Sequence, residues 1–251
     1  MNVAILGRGF VGRATEYFLQ EYCPKVAHIY VEDPGLGMYV DTYDWDSVTY
    51  TFICVPTNEV NGKLDLNILF QALKRARGIP IIRSTLGPDQ MTLIGMAHNG
   101  PFIHWPEFLR EKHWQEDVDN KQIPVVVGGP DEWTDNFVSH VLPEDRTIFQ
   151  GSLQEAALMK ISRNAMLATK VAQANMLYDQ CTKWKASYKL IREFMIRDGS
   201  LGTTHWDVPG HDNGRGFGGK CFPKDTKHYE SLFDEDNIYT MALDYNDTIY
   251  P

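Results

Sequence analysis

The first twelve residues constrain this chain most. Val3 to Leu6 is a short apolar run, and Gly7-Arg8-Gly9-Phe10-Val11-Gly12 follows at once. Val11, Ala14, Phe18 and Tyr22 then recur at helical spacing. Strand, Gly-x-Gly-x-x-Gly and helix in succession are the fingerprint of a dinucleotide-binding unit. Gly7 makes the tight turn, Gly9 lets a pyrophosphate approach the backbone, and Gly12 lets the helix pack on the strand. Phe10 and Val11 open a helix whose free N–H groups and positive dipole end suit phosphate. The fingerprint also predicts an acid about 20 positions on, accepting from the ribose hydroxyls. Val26 to Val31 reads as the second strand, with Glu32-Asp33 at its end. Asp33 is preferred because the strand stops at Pro34, and Glu32 is the alternative. A carboxylate there favours NAD and repels the extra phosphate of NADP.

Further strand-like runs are Tyr50 to Val55, Ile79 to Ser84, Pro101 to Trp105 and Pro124 to Val127. Helical patterns lie between them, near 65–76, 88–97 and 131–142. Alternating strands and helices give the fold class α/β: a doubly wound parallel Rossmann sheet over 1–150. Ligands of such sheets sit at the carboxyl ends of the strands. That singles out Pro56-Thr57, Ser84-Thr85 and Pro106 to Glu111. Thr57 and Thr85 read equally as helix caps or turn residues. Glu107 and Glu111 share one side if a helix starts there, and would then also suit a solvated face.

The second part, 151–251, reads as an α-helical domain with a long central helix. Ser152-Leu153-Gln154-Glu155 is a capping box, and it opens a helical stretch running to about Trp184. Ile161, Ala165, Ala168 and Ala172 form a stripe of mostly small residues. Lys160 and Asn164 are one turn apart on one face. They are a site candidate if buried, or Lys160 simply snorkels to solvent. A helix fits Ser187 to about Arg197, ended by Gly199, and another fits 225–248. Between them lies a turn-rich stretch with His205, Asp207, His211, Asp212 and Arg215. Their irregular spacing suits a solvated loop rather than a metal site, so no metal is expected. Gly216-Phe217-Gly218-Gly219-Lys220-Cys221-Phe222-Pro223-Lys224-Asp225 places one cysteine among glycines and two lysines. By itself that run is either a flexible turn or a reactive thiolate favoured by nearby cations.

Composition narrows the class. A formal net charge of −9 over 251 residues argues against nucleic acid and against a polybasic membrane role. No apolar run reaches the roughly 18 residues of a membrane span. The N-terminus reads as a strand rather than a signal peptide. The four scattered cysteines, Cys23, Cys54, Cys181 and Cys221, fit a reduced cytoplasmic chain.

Together these segments resemble the UDP-glucose / GDP-mannose 6-dehydrogenase family. The matching stretches are Gly7 to Gly12, Val55-Pro56-Thr57, Ser84-Thr85, Pro106 to Glu111, Lys160 to Asn164 with Leu167-Ala168, Val208-Pro209-Gly210, and Gly216 to Asp225. The resemblance implies two successive hydride transfers to NAD, taking a sugar C6 alcohol to a carboxylate, and a place in polysaccharide biosynthesis. It makes Cys221 the nucleophile, assisted by Lys160, Asn164, Asp225, Glu107, Glu111 and Thr85. Thr57 and Thr85 also fall to the cofactor. Phe108, Leu109, Arg110, Lys160, Asn164, Gly218 and Lys224 would line the substrate site. The family's long helix builds a homodimer, so a dimer through 152–184 is expected, the small-residue stripe serving as its contact. Several positions depart from the family pattern: Asn58, Leu86-Gly87-Pro88, Lys112, Met176, and the lack of an arginine before Val125 to Gly128. The family normally carries a second nucleotide-binding domain after the cysteine loop, and the chain reads as a short form that ends at Pro251 before it. Two other readings stand beside this one. One is a hydroxyacid dehydrogenase of related fold, which needs no cysteine, and the other is a non-catalytic nucleotide-binding protein.

Overall fold

The computed structural model describes residues 1–39, 47–60, 63–210 and 213–250. His211 and Asp212 lie outside the described residues. The chain divides into two compact units, Met1–Lys160 and Ile161–Pro251.

In the first unit β1 (Asn2–Leu6) leads into α1 (Phe10–Tyr22), β2 (His28–Glu32) and β3 (Val48–Ile53). A two-strand hairpin, β4 (Glu59–Val60) and β5 (Lys63–Leu64), precedes α2 (Asn67–Arg75), β6 (Ile79–Ile82) and α3 (Pro88–Ala97). Then come β7 (Ile103–His104), α4 (Trp114–Asp119), β8 (Val125–Gly128), α5 (Asp131–Val141) and β9 (Ile148–Gly151). One seven-stranded sheet runs in the order β2-β1-β3-β6-β7-β8-β9. Its strands alternate between two apolar layers, as the two-residue period of a strand requires. Phe52 and Ile81 join a cluster with Phe18 of α1, Val118 of α4 and Phe137 of α5. Their neighbours Ile53 and Ile82 join the opposite one, with Leu69 of α2, Ile94 of α3 and Ala157. Burial on both faces is why these strands read as continuous apolar runs.

The expected sheet was parallel throughout, and one pair corrects that. β7 and β8 are antiparallel, paired at His104 and Gly128. The link between them, 105–124, carries only a short 3-10 turn (Glu111–His113) and the six-residue α4, and β8 enters the sheet against the direction of its neighbour. β9, with its half-exposed Phe149, is an edge strand that the apolar pattern does not reveal.

Helix α6 (Leu153–Lys183) begins at the predicted capping box: Ser152 Oγ accepts from the Glu155 N–H, and the Glu155 carboxylate from the Ser152 N–H. In the second unit it continues without a break. Ile161, Ala165, Ala168 and Ala172 are all buried, and Ala168 and Ala172 pack with Phe217 and Ala242 of the same unit. The stripe is thus an inward face of α6. Ser187 caps α7 (Tyr188–Asp198), and Gly199 ends it in a left-handed conformation. The predicted last helix divides into α8 (Phe222–Glu230) and α9 (Ile238–Ile249). Asn237 begins α9 by accepting from the Tyr239 N–H. Among the described residues no helix is long and apolar enough to cross a membrane.

His104 is fully buried in β7, its Nδ1 3.1 Å from the Ile82 carbonyl oxygen. Burial pushes its imidazole down to about 3, so it is neutral in the fold at ordinary pH. The unfolded chain takes up this proton near pH 6.5, and the folded chain does so only near the lower value. Stability is therefore complete above the unfolded value and declines as pH falls toward the folded one, by about 1.4 kcal/mol per pH unit. In urea titrations at stepped acidic pH, His104→Gln should remove about that much slope. An unchanged slope would refute the assignment.

Candidate functional site

The first unit collects its candidates at the carboxyl ends of β1, β3, β6 and β7. A side chain on Gly12 would put its Cβ 2.0 Å from the Gly7 carbonyl oxygen, whereas the space around Gly9 is open. That is the cradle a pyrophosphate needs: a turn closed beneath and free above. The first-turn N–H groups of α1, at Phe10 and Val11, have no acceptors within the helix. Asp33 Oδ2 accepts from the Arg8 N–H at 2.7 Å, bracing the glycine turn from the end of β2. Glu32 is instead paired with Arg75 at 3.1 Å. Asp33 is thus the acid beside the loop, and the residues present fit a dinucleotide. Thr57 Oγ1 donates to the Thr85 carbonyl at 2.9 Å, and Ser84 Oγ to that of Val55 at 2.6 Å. These bonds tie the ends of β3 and β6 together and leave the Thr85 side chain half-buried.

No helix starts at Glu107. The segment after β7 runs irregularly to Arg110, and the two carboxylates part company. Glu107 is 5% exposed and Glu111 lies on the surface. Glu107 Oε1 accepts from Lys160 Nζ at 3.0 Å, and Oε2 from the Leu109 N–H at 2.6 Å. Lys160 is 3% exposed, so it is not a snorkelling surface lysine. Its ammonium lies 5.6 Å from the centre of the Phe108 ring. Arg110, exposed, is held by Asp117 through its side chain (2.6 Å) and its backbone N–H (2.6 Å). Arg83, Trp105, Glu107, Asp117 and Arg146 line a small cleft in this unit. Sequence reasoning passed over Arg83. The available signal was an arginine closing an apolar strand run.

In the second unit Cys221 caps α8. It alone of the four cysteines is partly open; the other three are buried. Burial pushes the Cys54 thiol up to about 11 and raises that of Cys23, so neither is poised to react. One turn into α8, Asp225 is 1% exposed. Its Oδ2 accepts from Asn164 Nδ2 at 2.7 Å. Lys224 Nζ lies 2.9 Å from Oδ1 as an ion pair without hydrogen-bond geometry, so Oδ1 keeps its hydrogen-bonding capacity. Among the described residues no group of three or more His, Cys, Asp or Glu could hold a metal.

Asn246 of α9 and Tyr250, just past its end, shape the glycine run, and the motif itself did not announce them. Asn246 accepts from the Phe217 N–H at 2.7 Å and donates to the Phe217 carbonyl at 3.0 Å. The Tyr250 hydroxyl covers Gly218 so closely that a Cβ there would meet it at 1.8 Å. Asn246→Ala removes both halves of the clamp. It should cost about 1–3 kcal/mol and speed hydrogen exchange at the Phe217 amide. Unchanged exchange there would show that the clamp does not hold the loop.

Comparison with known proteins places these parts. Residues 154–248 match the central domain of the UDP-glucose/GDP-mannose dehydrogenase family. The UDP-glucose 6-dehydrogenase TuaD of Bacillus subtilis is 30% identical over 270 residues, covering 90% of this chain and 57% of that protein. The chain spans about half the length of the curated relatives it matches. A UDP-glucose dehydrogenase structure from Pyrobaculum islandicum superposes with a TM-score of 0.81 at 24% identity, covering 98% of this chain and 68% of that one. Mycobacterium tuberculosis 3-hydroxyisobutyrate dehydrogenase gives a TM-score of 0.71 at 15% identity, covering 98% and 93%. These two structures share the fold. The matched segment, 154–248, holds both the Lys160–Asn164 turn of α6 and the cysteine loop, and it is similar to the central domain of the UDP-glucose/GDP-mannose dehydrogenase family.

Proposed function

We propose that the chain is an NAD-dependent nucleotide-sugar 6-dehydrogenase that oxidises a C6 alcohol to a carboxylate in two steps through Cys221. The observation that carries this reading is the single open thiol. It sits at the start of the helix whose buried Asp225 is hydrogen-bonded to Asn164. NAD supplies the hydride acceptor, held at Gly7 to Gly12 with Asp33 on a ribose and Thr57 and Thr85 nearby.

The residues divide the chemistry as follows. Loss of hydride from C6 and of the hydroxyl proton gives an aldehyde. An aldehyde has no second hydride to give until a heteroatom adds to it. The Cys221 sulfur adds to the carbonyl carbon, forming a thiohemiacetal. The start of α8 and the neighbouring Lys220 and Lys224 favour the thiolate. Lys160 and Asn164, one turn apart on α6, stabilise the developing oxyanion, and Asp225 fixes the Asn164 amide. Loss of the second hydride leaves a thioester. Glu107 takes a proton from water, which attacks the acyl carbon and releases carboxylate and thiol. Thr85 positions that water, and Glu111, at the surface end of the same segment, shares in its activation. Phe108, Leu109, Arg110 and Gly218 line the sugar.

The test is an NADH-formation screen over UDP- and GDP-hexoses. The wild-type protein should reduce two NAD per sugar, and Cys221→Ser should stop at the aldehyde. No reduction with any nucleotide sugar would sink the reading. The near full-length likeness to 3-hydroxyisobutyrate dehydrogenase favours a second reading, oxidation of a small hydroxyacid, in which Cys221→Ser retains turnover.

Homodimerisation belongs to the same proposal. The inward stripe leaves the other side of α6 as the contact, where Met159 and Met166 are exposed. Sedimentation at micromolar concentration should return a dimer, and Met166→Asp should shift it to monomer. A monomeric wild-type chain would contradict it.

A further inference from the structure

Arg83 is a buried cation that the steps above do not use. It directly follows β6 and is 5% exposed, its guanidinium stacked on Trp105 at 3.7 Å from the ring centroid. Its Nε and Nη1 have no hydrogen-bond partner. Unmade hydrogen bonds on a buried donor are costly, so an arginine kept in this position calls for a compensating charge. Burial draws its guanidinium down to about 10, with Cys54 and Glu107 acting the other way, so it remains a cation at neutral pH. It lines the same cleft as Glu107.

The other charged groups around that cleft are engaged. Asp117 is held by Arg110. Arg146 donates Nη1 and Nη2 to the Asn120 and Val118 carbonyls. His104, buried beside β6, is neutral. Lys160 is the direct partner of Glu107. In the proposed reaction, however, Lys160 must also face the substrate oxyanion. A carboxylate left alone in a low-dielectric site tends to take up a proton, and a protonated Glu107 cannot accept one from water.

We propose that Arg83 is the reserve counter-ion of Glu107, a positioning residue that keeps this carboxylate ionised and in place while Lys160 faces the reacting oxygen. The two cations then alternate, Lys160 serving the carboxylate at rest and Arg83 serving it during turnover. The unpartnered guanidinium nitrogens are what the second state requires.

This inference rests on the roles proposed for Lys160 and Glu107, but its test uses neither cofactor nor sugar. Lys160→Gln in the full chain imitates the turned-away lysine while keeping a donor. With carboxyl-labelled glutamate, infrared difference spectra against the matching Glu107→Gln protein isolate the Glu107 band at neutral pH. Lys160→Gln should retain the carboxylate stretch. Adding Arg83→Gln should replace it with the carbonyl stretch of the protonated acid, and adding Arg83→Lys instead should restore the carboxylate. Arg83→Met, which keeps packing on Trp105, serves should the glutamine variant fail to fold. Carboxylate persisting without the arginine, no restoration by lysine, or protonation in Lys160→Gln alone would each overturn the proposal. Failure of the dehydrogenase reading would show in the NADH screen and leave these spectra unchanged.

Discussion

The buried pair of Lys160 and Glu107 is the interaction on which the first unit's functional end depends. Both groups are almost wholly removed from water, and a buried charge persists only when paired and hydrogen-bonded. Lys160 satisfies one carboxylate oxygen and the Leu109 N–H the other. The second bond folds the segment after β7 back on itself, and the first joins that segment to α6. Replacing Glu107 by an apolar residue would therefore release the loop that carries Phe108 to Arg110. It would also strand an ammonium group.

A second constraint concerns the thiols. Three of the four cysteines lie inside the chain, and burial raises the thiols of Cys23 and Cys54. Cys221 instead opens a helix and stays partly accessible. Its loop is rigid for reasons outside the glycine run: Asn246 bonds both backbone groups of Phe217, and Tyr250 sits over Gly218. The glycines permit this close packing, because no other side chain would fit beneath that hydroxyl. For the nucleophilic role proposed for Cys221, a loop held from both sides lowers the entropic share of the barrier.

Much of this was legible in residue order. The strand-glycine-helix start, the alternating elements and the capping box at Ser152 are local signals, and local physics sets them. The two acids at the end of β2 differ in their contacts: Asp33 accepts from the Arg8 N–H at the glycine turn, and Glu32 pairs with Arg75. Features set by tertiary packing were not legible. The direction of β8 is set by the path of its connection, not by the residues of the strand itself. The alanines of α6 mark close packing, but nothing in their spacing says whether the neighbour is the same chain or a second copy. Glu107 and Glu111 look alike four residues apart, and only the absence of a helix there separates a buried carboxylate from a surface one. Arg83 hides in an apolar run, because an unpaired buried charge is an exception to patterning. Asn246 and Tyr250 lie about 30 residues beyond the glycines they hold.

The central claim is that Cys221 carries the substrate's carbon during the second oxidation. The most direct measurement is mass spectrometry of Glu107→Gln, acid-quenched after incubation with NAD and a nucleotide sugar. With the proposed base removed, the account predicts a sugar-acyl adduct on the peptide containing Cys221, labile to hydroxylamine. NADH formation with no adduct on that peptide would contradict it.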